Sequence, residues 1–294
     1  MAQVARGVLY VVATPIGNLG DLTARARQVL SDVDLIAAED TRETRRLLTH
    51  LGISKRLVSY HDHNESAAAR RLLEVLSQGQ DLALVSDAGT PVVSDPGYTL
   101  IAAANEAGIR VVPIPGASAA ICALSAAGLP SDRFLFVGFP PRGGTQRRAW
   151  IGSLAAEPGT LILYESGKRA AETLADLSSV LGEGRRVVVA RELTKRFETF
   201  LRGSARELAG RLAHDTQQQL GELVILVAGA TDEPRGDRGE QERILRVLAE
   251  ELPLTKAASL AARITGGKRN LLYRLGLDLG LGGEPDRHQG YRSG

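Results

Sequence analysis

Cysteine occurs once in the 294 residues, as Cys122. A single thiol excludes an intrachain disulfide, and its place in the apolar run AAICAL reads as a small buried hydrophobe rather than a nucleophile. No run approaches the roughly 18 apolar residues a membrane helix needs, and the apolar stretch near the start is too short for a signal peptide. These absences predict a cytoplasmic protein with no membrane partner. Aromatic residues make up only 4% of the chain, so its cores must be built from Ala, Val, Leu and Ile. Neither sign of charge dominates: the formal net charge is +2, and a nucleic-acid partner would have to show in clusters of charge rather than in the total.

What is present is an alternation. Short β-branched runs fall at 8–13, 35–38, 82–85, 111–114, 134–137, 160–164, 186–190 and 223–227. Amphipathic stretches fall between them, at 22–31, 41–51, 65–77, 99–107, 117–127, 146–155, 170–181 and 205–214. The pattern predicts α/β layers on mostly parallel sheets. The stretch Pro113-Ile114-Pro115-Gly116 separates two such sets, which places one α/β domain at 1–115 and a second at 116–230. ATDEPRGDRGE has no apolar periodicity and reads as a linker over 231–240. After it come two helix patterns, a helix-turn-helix-like basic element over 241–276, and a polar Gly-rich tail at 277–294 expected to be disordered.

The chemistry gathers where strands end. The first strand leads into Ala13-Thr14-Pro15-Ile16-Gly17-Asn18, whose spacing is not G-x-G-x-x-G and whose Pro15 removes a backbone donor, so a standard dinucleotide site is not expected. Glu39 and Asp40 end the next strand, and either cap a helix or do chemistry. SYHDHNE brings His61 and Glu65 together. His-x-His with carboxylates can hold a metal, but no further His or Cys lies at ligand spacing, so the expectation is a polar cleft loop and no metal. The run DLALV feeds SDAGTPVVSDPG, a loop stiffened by two prolines and loosened by two glycines, longer than a plain strand-to-helix connection needs. Asp87 and Gly89 follow the strand directly, where open α/β sheets place ligands. PIPGASA, YESGKR and ARELTKR repeat the arrangement, as a substrate cleft would.

Basic residues cluster in three places. Arg42, Arg45 and Arg46 share neighbouring faces of one helix. Arg142, Arg147 and Arg148 lie in and after the Pro-Pro and Gly-Gly loop FPPRGG. Lys268, Arg269 and Arg274 lie in the C-terminal element, whose residues 253–276 hold no acid. The first set reads as a local basic patch or as a solvated face, the second as a phosphate contact or as an exposed flexible linker, and the C-terminal pair as a nucleic-acid contact in preference to a dimer-stabilising hairpin.

Taken in order, LYVVATPIGNLGDLT, AAEDTR, SYHDHNE, LVSDAGTPVVSDPG, PIPGASA, FVGFPPR, YESGKR, ARELTK and LPLTKAASLAARITGGKRNLLY resemble the 16S rRNA cytidine 2′-O-methyltransferases. These are members of the tetrapyrrole-methylase-like, class III group of S-adenosylmethionine (SAM) enzymes. The resemblance covers about residues 7–276. It implies two α/β domains with SAM in the cleft between them, a small C-terminal helical element and a homodimer. It further implies methylation of the 2′-hydroxyl of cytidine 1402 of 16S rRNA, in the 30S subunit. Asp87, Ala88 and Gly89 would then line the methionine end of SAM, Ser118 and Ala119 would meet it from the neighbouring turn, and Phe136, Tyr164 and Arg191 would cover adenine and ribose. The turn at 13–15 carries less glycine than in relatives that methylate tetrapyrroles, and is read as facing the acceptor. Methyl transfer needs an aligned oxygen and a proton acceptor but no metal. Asp40 and His61 are the favoured acceptors of that proton, with Glu39 and Glu65 in the same set. The three basic clusters would hold RNA. A methylase of the same fold acting on a tetrapyrrole or another small acceptor is the alternative, against which the basic appendages speak.

Overall fold

The computed structural model describes residues 6–62, 64–215, 221–230 and 238–281. Residues 1–230 form one compact unit and 231–294 another. The first unit holds two sheets. Strands β1 (Val8–Val12), β2 (Leu35–Ala38), β3 (Arg56–Ser59), β4 (Leu82–Val85) and β5 (Arg110–Ile114) form a sheet in the order β3-β2-β4-β1-β5. All its pairings are parallel. Parallel strands must be covered on both faces, and β2 and β4, LIAA and LALV, are buried at every position. The crossovers are helices α1 (Ala24–Asp32), α2 (Thr41–Leu51), α3 (Glu65–Ser77) and α4 (Tyr98–Glu106).

The helix boundaries follow local chemistry. Thr23 caps α1 by accepting from the Ala26 amide at 3.0 Å. Gly52, left-handed at φ 71°, ends α2. Gly97 cannot cap α4 with a side chain, so the Glu65 carboxylate does so from another helix, accepting from the Gly97 and Thr99 amides at 3.1 and 3.3 Å.

The second sheet departs from the mostly parallel expectation. Its strands are β6 (Phe134–Gly138), β7 (Thr160–Ser166), β8 (Arg186–Arg191), β9 (Thr199–Ser204) and β10 (Glu222–Val227), in the order β6-β7-β10-β8-β9. Only β6 and β7 run parallel; β10 is antiparallel to both its neighbours, and β9 is antiparallel to β8. Helix α5 (Ala119–Ala127) packs on one face of this sheet, with Ala120, Ala123 and Leu124 against Ile162, Val188 and Leu226. Helices α6 (Gly144–Ser153), α7 (Gly167–Leu181) and α8 (Ala205–His214) supply Ile151, Leu174 and Leu208 to the core on the other. β3 and β9 escape the sequence pattern because each is an edge strand with little burial and hence a weak apolar signature.

The second unit contains three helices among its described residues rather than two: α9 (Arg238–Glu251), α10 (Leu254–Thr265) and α11 (Arg269–Asp278). α9 begins inside the stretch read as linker. Its first turns carry Arg243–Glu240 and Arg246–Glu242 pairs on the surface, while Leu245 joins Leu254, Ala258, Ala261 and Leu272 in the core. α11 extends into the stretch read as tail; residues 282–294 of that tail and 231–237 of the linker lie outside the described residues.

Candidate functional site

A cavity of about 490 Å³ opens where strands of both sheets end. From the first sheet it is lined by Ile16 after β1, Glu39 after β2, Asp87 to Thr90 and Val93 to Asp95 after β4, and Ser118 and Ala119 after β5. From the second come Phe139 after β6, Tyr164 on β7, Ala190, Glu192, Leu193 and Lys195 at and after the end of β8, and Gly221 to Val224 at the start of β10. Because β10 is antiparallel, its first residues meet the carboxyl ends of its neighbours. The crevice outside the carboxyl ends of an open sheet is the expected ligand position.

The loops are locked together. Thr14 and Gly89 exchange backbone hydrogen bonds of 2.8 and 3.1 Å, tying the first turn to the loop after β4. Gly89, left-handed at φ 86°, makes that close approach possible. Beside it the Asp87 amide donates to Glu39 Oε2 at 3.2 Å, while the Asp40 amide donates to Asp87 Oδ1 at 2.9 Å. Two carboxylates on adjacent strand ends are thereby fixed by each other's loops.

The four proposed proton acceptors fall into different roles. Glu39 lines the cavity, and its pKa is raised above the usual carboxylate range, first by burial and then by the nearby Asp95, Asp87 and Asp62 charges, against the Asp87 amide that lowers it. Asp40 caps α2: it accepts from the Arg42 amide at 2.8 Å and pairs with the Arg42 guanidinium at 2.6 Å. Those bonds hold its pKa at about 2, which makes it a weak base. Glu65 is committed to the α4 amides and accepts from the buried Tyr60 hydroxyl at 3.0 Å; burial pushes its pKa up, but these bonds outweigh it and leave it below the usual value. His61 is half-buried in the turn closed by its amide and Asn64 Oδ1, and is not among the described residues lining the cavity.

On the opposite wall the Tyr164 hydroxyl accepts from the Ala120 amide at 3.2 Å, at the start of α5. Phe136 and Phe139 meet the Tyr164 ring edge-on, with centroids 4.8 and 5.6 Å away. Phe139 faces the cavity, whereas Phe136 stands behind Tyr164, and neither Phe136 nor Arg191 is among the described lining residues. The loop bearing Phe139 is held from below: the Arg169 guanidinium donates to the Pro140 and Pro141 carbonyls at 2.9 and 3.1 Å. Arg169 is in turn paired at 3.3 Å with the fully buried Glu165.

Phe139, Asp95, Glu192, Lys195 and Glu222 line the cavity and escaped the choice of site residues, although all but Glu222 stand in motifs singled out above. Glu222 opens a strand instead of closing one, and only the antiparallel pairing of β10 brings it to this end. A further signal is invisible in sequence. The four non-glycine residues with left-handed backbone among those described are Val92, Ser94, Glu192 and Thr194, at φ 77°, 69°, 51° and 65°. All stand in the two loops on opposite walls of the cavity, and strain of this kind gathers at functional sites.

The arginine clusters divide likewise. Arg42, Arg45, Arg46, Arg142 and Arg148 are exposed, with Arg46 paired to Glu43 at 2.6 Å. Arg147 corrects the expectation of an RNA contact: it is 3% exposed, and its Nε donates to Asp176 Oδ2 at 2.7 Å. Arg148 holds the other Asp176 oxygen at 3.2 Å. In the helical unit Lys268, Arg269 and Arg274 are all exposed.

Acids dominate the cavity: Glu39, Asp87, Asp95, Glu192 and Glu222 against Lys195. Burial raises the pKa of Asp95 and Asp87, and nearby carboxylates add to it. Such a set suits a ligand that carries positive charge. A carboxyl whose folded pKa is raised stabilises the fold below its unfolded pKa and loses that contribution as pH rises through the folded value. Asp95→Asn is therefore expected to raise Tm at neutral pH, by roughly 2–4 °C, with the gain vanishing below about pH 4, where Asp is protonated in both states. Calorimetry across that range checks it; a loss of Tm at neutral pH would contradict the electrostatic reading.

The tetrapyrrole (corrin/porphyrin) methylase family pattern matches residues 8–209, and an RsmI C-terminal HTH domain pattern matches 235–280. The chain is 54% identical to the ribosomal RNA small subunit methyltransferase I of Xylella fastidiosa, over 91% of this chain and 98% of that protein. It is 52% identical to the protein of that name from Escherichia coli O157:H7, over 94% of this chain and 97% of the relative. Among solved structures it is similar to the methyltransferase CobJ, with a TM-score of 0.56 and 20% identity over 76% of this chain and 95% of that one. It is also similar to a cobalt precorrin-4 methyltransferase, with a TM-score of 0.54 and 16% identity over 75% of this chain and 94% of that one. The structural likenesses share the fold. The close relatives match over nearly their whole length, and the chain belongs to the ribosomal RNA small subunit methyltransferase I family, within the tetrapyrrole methylases.

Proposed function

We propose that this protein transfers the methyl group of SAM to a cytidine 2′-hydroxyl of 16S rRNA, at cytidine 1402 in the 30S subunit, with SAM held in the strand-end cavity. The observation that carries the reading is the cavity's acidic lining, in a member of an rRNA methyltransferase family. SAM, when bound, supplies an electrophilic methyl group on a sulfonium. Asp87, Asp95 and Glu222 offer charges that balance that sulfonium and the ammonium group. Ser118 and Ala119 give the close wall of one side, and Tyr164 with Phe139 an aromatic wall for a flat ring.

The transfer is an in-line displacement. An O–C bond forms at the ribose, the C–S bond breaks, and its electron pair stays on sulfur. The hydroxyl proton must go to a base. Glu39 suits the task best of the four carboxyl and imidazole candidates, since it lines the cavity and burial makes it a stronger base than an exposed carboxylate. In-line methyl transfer needs an aligned oxygen and a proton acceptor, and the proposed step calls for no metal.

The exposed arginines of α2 and the basic residues of α10 and α11 are proposed to contact RNA phosphates, giving salt-sensitive binding. A homodimer is part of the proposal, supported by edge strand β6, which exposes Phe134 and Leu135. No described helix is long and apolar enough to cross a membrane, and the ribosomal substrate argues for a cytoplasmic protein.

The test is transfer of labelled methyl from SAM to 30S subunits of a strain lacking the gene. Alkali-resistant label at one cytidine ribose is the expected result. SAM binding without label on the particle would redirect the assignment to a small acceptor.

A further inference from the structure

The acidic cavity that suits a cationic donor creates a difficulty for the acceptor. An RNA ribose arrives with a phosphodiester on either side, and each phosphate is repelled by Glu39, Asp87, Asp95, Glu192 and Glu222. Among the described lining residues only Lys195 carries positive charge. Its position is built. The Lys195 stem lies across Gly17, so that a Cβ there would come within 2.7 Å of Lys195 Cγ and Cε; Gly17, at φ 150°, leaves that space open. Gly17 belongs to the turn after β1, the same turn that sends Ile16 into the cavity. The ammonium is 3.1 Å from Glu192 Oε1, and the side chain remains 43% exposed.

The loop beneath it is held in a costly conformation. Glu192 and Thr194 flank Leu193 with left-handed backbone, and the Thr194 amide donates to Glu198 Oε2 at 2.7 Å. Arg196 follows, its guanidinium 5.5 Å from the centroid of the exposed Phe197 ring, so positive charge continues outward from Lys195.

We infer that Lys195 binds the phosphate next to the target ribose and is the residue that lets a polyanionic acceptor approach an acidic methyl-donor cavity. The inference rests on the proposed RNA acceptor and adds to it an acceptor-binding residue. Without RNA the ammonium pairs with Glu192; with RNA the phosphate takes its place or shares it. A small cationic or neutral acceptor would have no use for this lysine.

The experiment compares wild type, Lys195→Gln and Lys195→Arg in single-turnover methylation of unmethylated 30S subunits over a range of salt, with SAM affinity measured by calorimetry. Gln keeps most of the stem over Gly17 and removes the charge; Arg keeps the charge, and thermal melting confirms that each variant is folded. For Lys195→Gln the expected result is a roughly tenfold rise in the 30S concentration at half-maximal rate, with SAM affinity within about twofold. The slope of log rate against log salt should fall by about one, and Lys195→Arg should restore it. A merely structural role would not move that slope. Weaker SAM binding with an unchanged salt slope would assign Lys195 to the donor carboxylate and overturn the inference, as would a Gln variant equal to wild type. If the Gln variant fails to fold, an Arg variant with a salt slope unlike the wild-type one would equally overturn it. Absence of methyl transfer by the wild-type enzyme is a separate outcome, which refutes the proposed function itself.

Discussion

Glu39→Gln is expected to lower the single-turnover rate on 30S subunits by about a hundred- to ten-thousand-fold, with SAM affinity changed by no more than a few-fold. The substitution is chosen for what it leaves intact. The amide oxygen of the introduced glutamine can still accept from the Asp87 amide, so the interlock between the loops after β2 and β4 survives. What disappears is a carboxylate whose pKa burial and three neighbouring acids raise. The pH profile is the second arm. A base must be ionised to act, so the wild-type rate should fall on the acid side at a pH above that of an ordinary carboxylate, and the residual rate of the variant should lose this limb. Asp40→Asn provides the contrast: Asn also caps helices, and the exposed ion pair with Arg42 contributes little, so the rate should change far less. A Glu39→Gln enzyme within threefold of wild type would remove Glu39 as the base and return the role to His61 or Asp40.

Arg147→Ala is expected to cost about 3 kcal/mol of stability, read from urea unfolding, while leaving the salt dependence of RNA methylation as it was. The guanidinium bridges α6 and α7, with its side chain 4% exposed and that of Asp176 12% exposed. Removing one member of a buried pair strands the other charge in a poorly solvated place, which costs far more than the pair itself contributes. Arg148, which still reaches Asp176, keeps the loss from being larger. Arg147→Met paired with Asp176→Leu should recover much of the stability, since an apolar pair of similar size carries no desolvation cost. A stable Arg147→Ala protein with a lowered salt slope would instead restore Arg147 to the RNA-facing set.

The two arginines, adjacent in sequence and alike in composition, show where reading residues in order reaches its limit. RGGTQRR offers Arg142, Arg147 and Arg148 as one basic cluster. Helix periodicity turns Arg147 inward, and only the arrival of Asp176 from α7, 29 positions on, decides that a buried charge can be tolerated there. The cavity repeats the lesson. Asp87, Ala88, Gly89, Ser118, Ala119 and Tyr164 are legible because each stands at or just past the carboxyl end of a strand, and strand ends can be read from apolar runs. Phe136 and Phe139 are separated by Val137 and Gly138 at the end of β6, and Gly138, left-handed at φ 69°, turns the chain so that Phe139 lines the cavity while Phe136 packs on the Tyr164 ring outside it.

By itself the amino-acid sequence determined the α/β alternation, nearly every helix of the first unit, the strand-end loops and, through its motifs, the family, because these rest on local periodicity, turn residues and contiguous signatures. Only the tertiary structure decided that the second sheet is largely antiparallel, which acid sits in the cavity and which caps a helix, and that Lys195 stands against five carboxylates. Those outcomes depend on pairings between residues far apart in the chain, and on the burial those pairings create, and neither is carried by any short stretch of residues.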